Sequence, residues 1–194
     1  MKRIGIFGGT FNPPHIAHSL IAEDVRKQLH LDKIIFIPSA VPPLKDEVLE
    51  IEHRLAMAKI AFEKNQYTKV SDIEIKSTKG KSYTIDTLTK LHELYKNDSV
   101  KFFLILGIDS LVDFPKWKTP EKLFSLAKIV AINRPGFKPE DVKPEYSEKA
   151  IFINAPFIDI SSTIIREKVR KNMSIKYLVL PEIEKYITKN NLYK

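Results

Sequence analysis

Apolar and polar positions alternate in two rhythms along the chain. Compact apolar runs bounded by Gly, Pro, Ser or charged residues predict strands over 4–7, 33–38, 69–75, 101–106, 128–133 and 150–154. Between them, apolar residues recur at helical spacing and predict helices over 15–29, 51–64, 85–95, 120–126, 162–171 and 181–189. Leu20, Val25 and Leu29 mark the apolar stripe of the first helix, and Leu55, Ala58 and Phe62 that of the second. This alternation predicts an α/β fold: a mainly parallel sheet with helices on both faces, a C-terminal helical segment packed on it, and ligands bound beyond the carboxyl ends of the strands. The Pro- and Lys-rich stretch from Arg134 to Lys149 breaks both rhythms and predicts a surface loop.

Dividing 194 residues in two would leave two marginal cores, so residues 1–194 are read as a single domain. Hydrophobic residues at 43% and charged residues at 29% exclude a disordered or fibrous chain. The absence of cysteine removes disulfides, thiolate metal sites and thiol nucleophiles together. Met1-Lys2-Arg3 resembles the start of a signal peptide, but the apolar run behind it is cut by Gly8-Gly9, and no stretch approaches the roughly 20 apolar residues of a membrane span. The expectation is a cytoplasmic protein with no membrane partner. A net charge of +8 and a pI near 9.4 suit anionic ligands, although the lysines are dispersed as they would be for solubility alone.

Chemistry concentrates first in Gly8-Gly9-Thr10-Phe11-Asn12-Pro13-Pro14-His15-Ile16-Ala17-His18, where a strand passes through glycines into a helix start. Glycine lets a ligand approach the main chain closely, and the N–H groups and dipole of a helix N-terminus favour an anion by about 0.3–1 kcal/mol at the surface. The dinucleotide fingerprint G-x-G-x-x-G is not met, and a Walker A loop at Gly80-Lys81-Ser82 is excluded by Ile75. His15 and His18 share a helix face and are read as a charge-bearing pair aimed at the anion. Such histidines also serve as helix caps or metal ligands, but no third His, Asp or Glu at matching spacing completes a metal site, and no protein-held metal is expected.

Asp159-Ile160-Ser161-Ser162-Thr163-Ile164-Ile165-Arg166 repeats the arrangement near the C-terminus. Ser161 or Ser162 can cap the helix, and Arg166, one turn in, can fork onto phosphate oxygens. Two helix-start anion sites on one sheet suit a polyphosphate such as ATP. Lys45, in Pro42-Pro43-Leu44-Lys45, adds a cation on the loop after the second strand.

With SYTIDTL at 82–88, LGIDSL at 106–111 followed by Trp117, NRPG at 133–136 and ISSTIIR at 160–166, the chain resembles the HxGH-containing nucleotidyltransferases, specifically the bacterial nicotinate-nucleotide adenylyltransferase family, over almost its whole length. The resemblance implies a Rossmann-like fold and transfer of AMP from ATP to nicotinate mononucleotide, giving nicotinate adenine dinucleotide and pyrophosphate in NAD biosynthesis, with Mg²⁺ bound alongside ATP. It implies that Gly8, Gly9, Thr10, Phe11, His15 and His18 surround the ATP phosphates, His18 being the main stabiliser of the reacting one. Ser161, Ser162, Thr163 and Arg166 would hold the triphosphate tail, and Gly107 and Asp109 would line the nucleotide site. On the acceptor side, Trp117 would stack on the pyridine ring, backbone amides near Tyr83 and Thr84 would receive the nicotinate carboxylate, and Ser82 and Arg134 would complete the mononucleotide site. Catalysis is assigned to His15, His18, Lys45 and Arg166. Two positions depart from the family pattern: Ala17 stands where HxGH has glycine, and Leu44 where relatives often carry a histidine before the lysine.

The nearest rival, pantetheine-phosphate adenylyltransferase, shares the first loop and the ISSTxxR end but not the SYTIDTL and Trp117 segments. A nucleic-acid binder would show clustered arginine interleaved with exposed aromatics, which this chain lacks. A non-catalytic nucleotide sensor would not need both histidines. A homo-oligomer stays open.

Overall fold

In the computed structural model, which describes residues 1–42, 48–77, 80–156 and 158–194, the apolar runs form a six-stranded sheet whose paired strands are all parallel. The strands are β1 (Lys2–Gly9), β2 (Lys33–Pro38), β3 (Thr68–Val70), β4 (Val100–Gly107), β5 (Lys128–Ile132) and β6 (Ile151–Ile153), in the order β3-β2-β1-β4-β5-β6. This is the Rossmann order. The central strands are buried on both faces, which is why they read as nearly continuous apolar runs.

On one face, Phe36, Phe103, Ile105 and Val130 pack against Ala22 and Val25 of α1 (Ile16–Gln28) and Ala58 and Phe62 of α2 (Ile51–Phe62). On the other, Ile4, Ile6, Leu104 and Leu106 meet α4 (Thr84–Leu94) through Leu88 and Leu91, α5 (Ile108–Val112) through Leu111, and α6 (Pro120–Leu126) through Leu123. A third cluster joins Met57 of α2 to Ile165 of α8 (Ser162–Arg170) and to Ile183 and Ile187 of α9 (Pro181–Lys189), so the C-terminal helical segment closes on the domain as predicted. No helix among the described residues is long and apolar enough to cross a membrane.

Three expectations need correction. The strand read over 69–75 ends at Val70. The Ser71 hydroxyl accepts the N–H of Ile73 at 3.3 Å and Asp72 pairs with Lys76 at 2.9 Å, so the chain turns into α3 (Ile73–Ser77). Leu20 is 52% exposed; α1 buries Ala17, Ala22 and Val25 instead. The stretch from Arg134 to Lys149 is no plain surface loop. It holds a 3₁₀ turn (Pro139–Asp141) and α7 (Pro144–Ser147), and Val142 between them and Tyr146 within α7 both bury; the Tyr146 ring stacks on Phe124 with centroids 5.9 Å apart.

The chain builds outward from β1 through β2 to β3 on one side and from β4 through β5 to β6 on the other. The switch point therefore falls between the carboxyl ends of β1 and β4, at Gly8-Gly9 and Gly107.

Candidate nucleotide site

A cleft of about 760 Å³ opens at this switch point, and its lining includes Gly8, Gly9, Thr10, Phe11, His15, His18, Gly107, Arg134, Ser161, Ser162, Thr163 and Arg166. Segments more than a hundred residues apart in sequence thus share one surface. Asp109 lies just behind it. Its Oδ2 accepts from Arg134 Nη1 at 2.5 Å, and its buried Oδ1 has no hydrogen-bond partner among the described residues. A Cβ on Gly107 would run into that carboxylate. Lys45 and Leu44 lie outside the described residues.

The two loop glycines have different reasons. Phe11 adopts a positive φ of 49° and folds its ring beneath the loop, where it is 2% exposed and meets Phe62, Phe36 and His18 edge-on. A Cβ on Gly9 would stand 2.8 and 2.9 Å from that ring, so the fold itself requires glycine there. Gly8 is exposed, and a Cβ on it would meet nothing within 4 Å. The open space beside it is the cleft.

His15 sits extended just before α1, and its N–H donates to His18 Nδ1 at 3.1 Å, while the His18 N–H donates to the His15 carbonyl at 3.0 Å. Neutral His18 therefore carries its proton on Nε2. The two imidazoles lie 3.7 Å apart with a 31° tilt. His15 is only 8% exposed, its Nδ1 has no hydrogen-bond partner among the described residues, and burial pushes its pKa down to about 4. At neutral pH His15 is uncharged in this fold. The charge-bearing pair read from the sequence is corrected accordingly: burial removes the proton from His15, while His18 accepts the His15 backbone N–H.

The second anion site is built into the first. Ser161 caps α8, its hydroxyl accepting from the Ile164 N–H at 3.2 Å. Ser162 Oγ donates to the Pro13 carbonyl at 2.8 Å, and Arg166 donates through Nη1 to the Asn12 carbonyl at 2.9 Å and through Nη2 to Thr163 Oγ1 at 3.2 Å. The start of α8 is thereby fixed to the loop after β1.

Ser82, Tyr83, Thr84 and Trp117 do not line this cleft. Ser82 forms two bonds to Val41, its hydroxyl accepting the Val41 N–H at 3.1 Å and its own N–H donating to the Val41 carbonyl at 2.8 Å. Tyr83 precedes α4 and Thr84 opens it. Lys118 brings the Trp117 segment to the same place: its Nζ bonds the Asp86 carboxylate at 2.9 and 3.1 Å and lies 4.9 Å from the centre of the Tyr83 ring. Trp117 is half-buried, its ring tilted against Phe114 at 4.7 Å.

Sequence reasoning missed two contributors. Asn12, 4% exposed, accepts the Tyr193 hydroxyl on its Oδ1 at 2.9 Å while its carbonyl holds Arg166. Arg54, 1% exposed, donates to the carbonyls of Leu49, Thr10, Ser39 and Ala40. A charged residue in line with Ala58 and Phe62 on the apolar stripe of α2 was the available signal.

A glycine loop and two helix N-termini joined at the switch point of a parallel sheet define a nucleotide-binding α/β protein. Residues 6–168 match the cytidylyltransferase-like family. A Bacillus subtilis nicotinate-nucleotide adenylyltransferase is 38% identical, with all of both chains covered, and a probable one from Oceanobacillus iheyensis is 38% identical over all of this chain and 97% of its own. The chain belongs to the cytidylyltransferase-like family and, within it, to the nicotinate-nucleotide adenylyltransferases. The fold is similar to that of the Plasmodium falciparum nicotinic acid mononucleotide adenylyltransferase solved with NaAD, at a TM-score of 0.82 and 26% identity over all of this chain and 98% of that one.

Proposed function

We propose that the protein transfers the adenylyl group of ATP to nicotinate mononucleotide. The observation that carries this reading is the junction of α1 and α8 over the Asn12-Pro13 turn, which aims two helix N-termini, both histidines and Arg166 at one cleft. The 5′-phosphate oxygen of the mononucleotide attacks the α-phosphorus of ATP, the bond to the α–β bridging oxygen breaks, and pyrophosphate leaves with that electron pair. The nucleophile is already anionic, so no general base is needed, and rate rests on alignment and charge stabilisation. His18, Thr10 and the loop amides face the reacting phosphate; Ser161, Ser162, Thr163 and Arg166 take the tail; Gly107 and Asp109 border the nucleoside.

On the acceptor side, the first N–H groups of α4 have no intrahelical partners and suit a carboxylate, while Trp117 offers the pyridine ring a surface backed by Phe114. Ser82 and Arg134 complete that side, and Lys45 is assigned to catalysis as a cation. Among the described residues no group of three or more acidic or histidine side chains converges, and the cleft lining carries one carboxylate, Asp159. That donor set fits Mg²⁺ carried in on the nucleotide's own phosphates and waters, where it supplies charge neutralisation. We place the reaction in the cytoplasm, with ATP.

The test is pyrophosphate release from ATP and Mg²⁺ with nicotinate mononucleotide, nicotinamide mononucleotide and phosphopantetheine offered in parallel. Turnover strongest with the nicotinate compound is expected. Turnover only with phosphopantetheine would overturn the pyridine site, and turnover with none would overturn the enzyme.

A further inference from the structure

The guanidinium of Arg54 has no role in the proposed chemistry, yet it is among the most deeply buried large side chains in the molecule. Its Nη1 donates to the Thr10 carbonyl at 3.0 Å and to the Ser39 carbonyl at 2.6 Å, its Nη2 to the Ala40 carbonyl at 2.9 Å, and its Nε to the Leu49 carbonyl at 2.7 Å. Thr10 belongs to the phosphate loop after β1. Ser39 and Ala40 belong to the segment after β2, and one side chain therefore ties the carboxyl ends of two neighbouring strands together.

That second segment is gripped from its other side as well. The Ala40 N–H donates to Glu74 Oε2 at 3.3 Å, Glu74 Oε1 accepts the Thr87 hydroxyl of α4 at 2.7 Å, and Val41 is doubly bonded to Ser82. A continuous chain of bonds thus runs from Thr10 through Arg54, Ala40 and Glu74 to the start of α4.

We propose that Arg54 is a positioning residue that sets the distance between the ATP-phosphate loop and the acceptor-binding start of α4. This rests on the adenylyltransferase reading above. A planar guanidinium can hold carbonyls in several directions at once, whereas an ammonium is a compact charge that cannot span them. Because in-line transfer depends on the approach of two bound substrates, and a misplacement near 1 Å costs about 10²-fold, the defect should appear in turnover more than in the binding of either substrate alone.

The test compares wild type, Arg54→Lys and Glu74→Gln for kcat and both KM values, normalised to the folded fraction from thermal melts, with ATP binding measured separately by calorimetry. For Arg54→Lys the expected result is a kcat lowered about 10- to 100-fold per folded molecule, with ATP affinity within about threefold of wild type. For Glu74→Gln, which keeps the side chain's shape and leaves α2 untouched, a smaller fall of about 3- to 10-fold in the same parameter is expected, and it decides the matter should Arg54→Lys not fold. Activity lost only in proportion to folded protein, or an unchanged kcat in the folded variants, would overturn the positioning role. A wild type with no turnover on any acceptor would instead overturn the adenylyltransferase reading, and the positioning role with it.

Discussion

Replacing each loop glycine by alanine separates what the fold needs from what the ligand needs. Neither Gly8 nor Gly9 has a positive φ, so alanine is conformationally allowed at both and the contrast is steric. At Gly9 the new methyl would press on the Phe11 ring at 2.8 and 2.9 Å, and that ring cannot yield because Phe36, Phe62 and His18 box it in. Overpacking of this kind costs about 1–3 kcal/mol. For a domain of this size that is a Tm lower by roughly 2–12 °C. At Gly8 the methyl meets nothing, so stability should hold or rise by about 0.4–1 kcal/mol through the restricted unfolded chain. The same methyl, however, stands on the cleft surface where a phosphate would approach the main chain, and an ATP KM raised at least about tenfold, or ~1.4 kcal/mol, is expected. Thermal melts and initial rates of pyrophosphate release at saturating mononucleotide measure both. A Gly8→Ala protein that loses as much Tm as Gly9→Ala while its ATP KM stays put would refute the assignment of Gly8 to the ligand.

Further expectations follow from the histidines and the tryptophan. His18→Ala should lower kcat by about 10²–10³ per folded molecule, the scale of one lost donor to developing charge, with a Tm loss from the lost bond to the His15 N–H; a fall under tenfold per folded molecule removes His18 from the catalytic set. His15 has a folded pKa of about 4 against 6.5 unfolded, so the unfolded chain binds the extra proton between those values, and the contribution is complete above pH 6.5 and lost as pH falls towards 4. Between pH 7.5 and 5 that loss is about 2 kcal/mol; urea midpoints should show it in wild type and miss it in His15→Gln, and an identical slope in both would sink the assignment. Trp117→Ala should raise the KM for the mononucleotide and leave that for ATP unchanged. If neither KM moves, the ring serves only as packing for Phe114.

Legibility in the sequence followed the range of the interactions. β2, α6 and α9 fall where periodicity placed them, and the glycine loop and the ISST helix start were readable because each signal occupies about ten contiguous positions. The β3–α3 corner was misread because Ser71 and Asp72 act through local capping bonds that interrupt an otherwise apolar run. Arg54 and the Asn12–Tyr193 contact were not readable for a different reason. Arg54 bonds main-chain carbonyls, one of them 44 positions away, and any residue at all can supply a carbonyl; Tyr193 meets Asn12 across 181 positions. The neutrality of His15 likewise comes from burial, which no spacing of residues announces.

Those unreadable contacts bear on how the site can work. Arg166 is held by the Asn12 carbonyl and the Thr163 hydroxyl, Ser162 by the Pro13 carbonyl, and Thr10 by Arg54. The groups proposed to face a triphosphate are therefore tied to the main chain by bonds of the fold itself. A reaction that needs no base and depends on placing two anions in line gains most from such fixed donors, because charge stabilisation then requires no rearrangement as the bond to pyrophosphate breaks. His15 fits the same logic from the opposite direction. Buried and uncharged at neutral pH, it adds a ring packed on His18 and leaves charge in the cleft to residues such as Arg134 and Arg166.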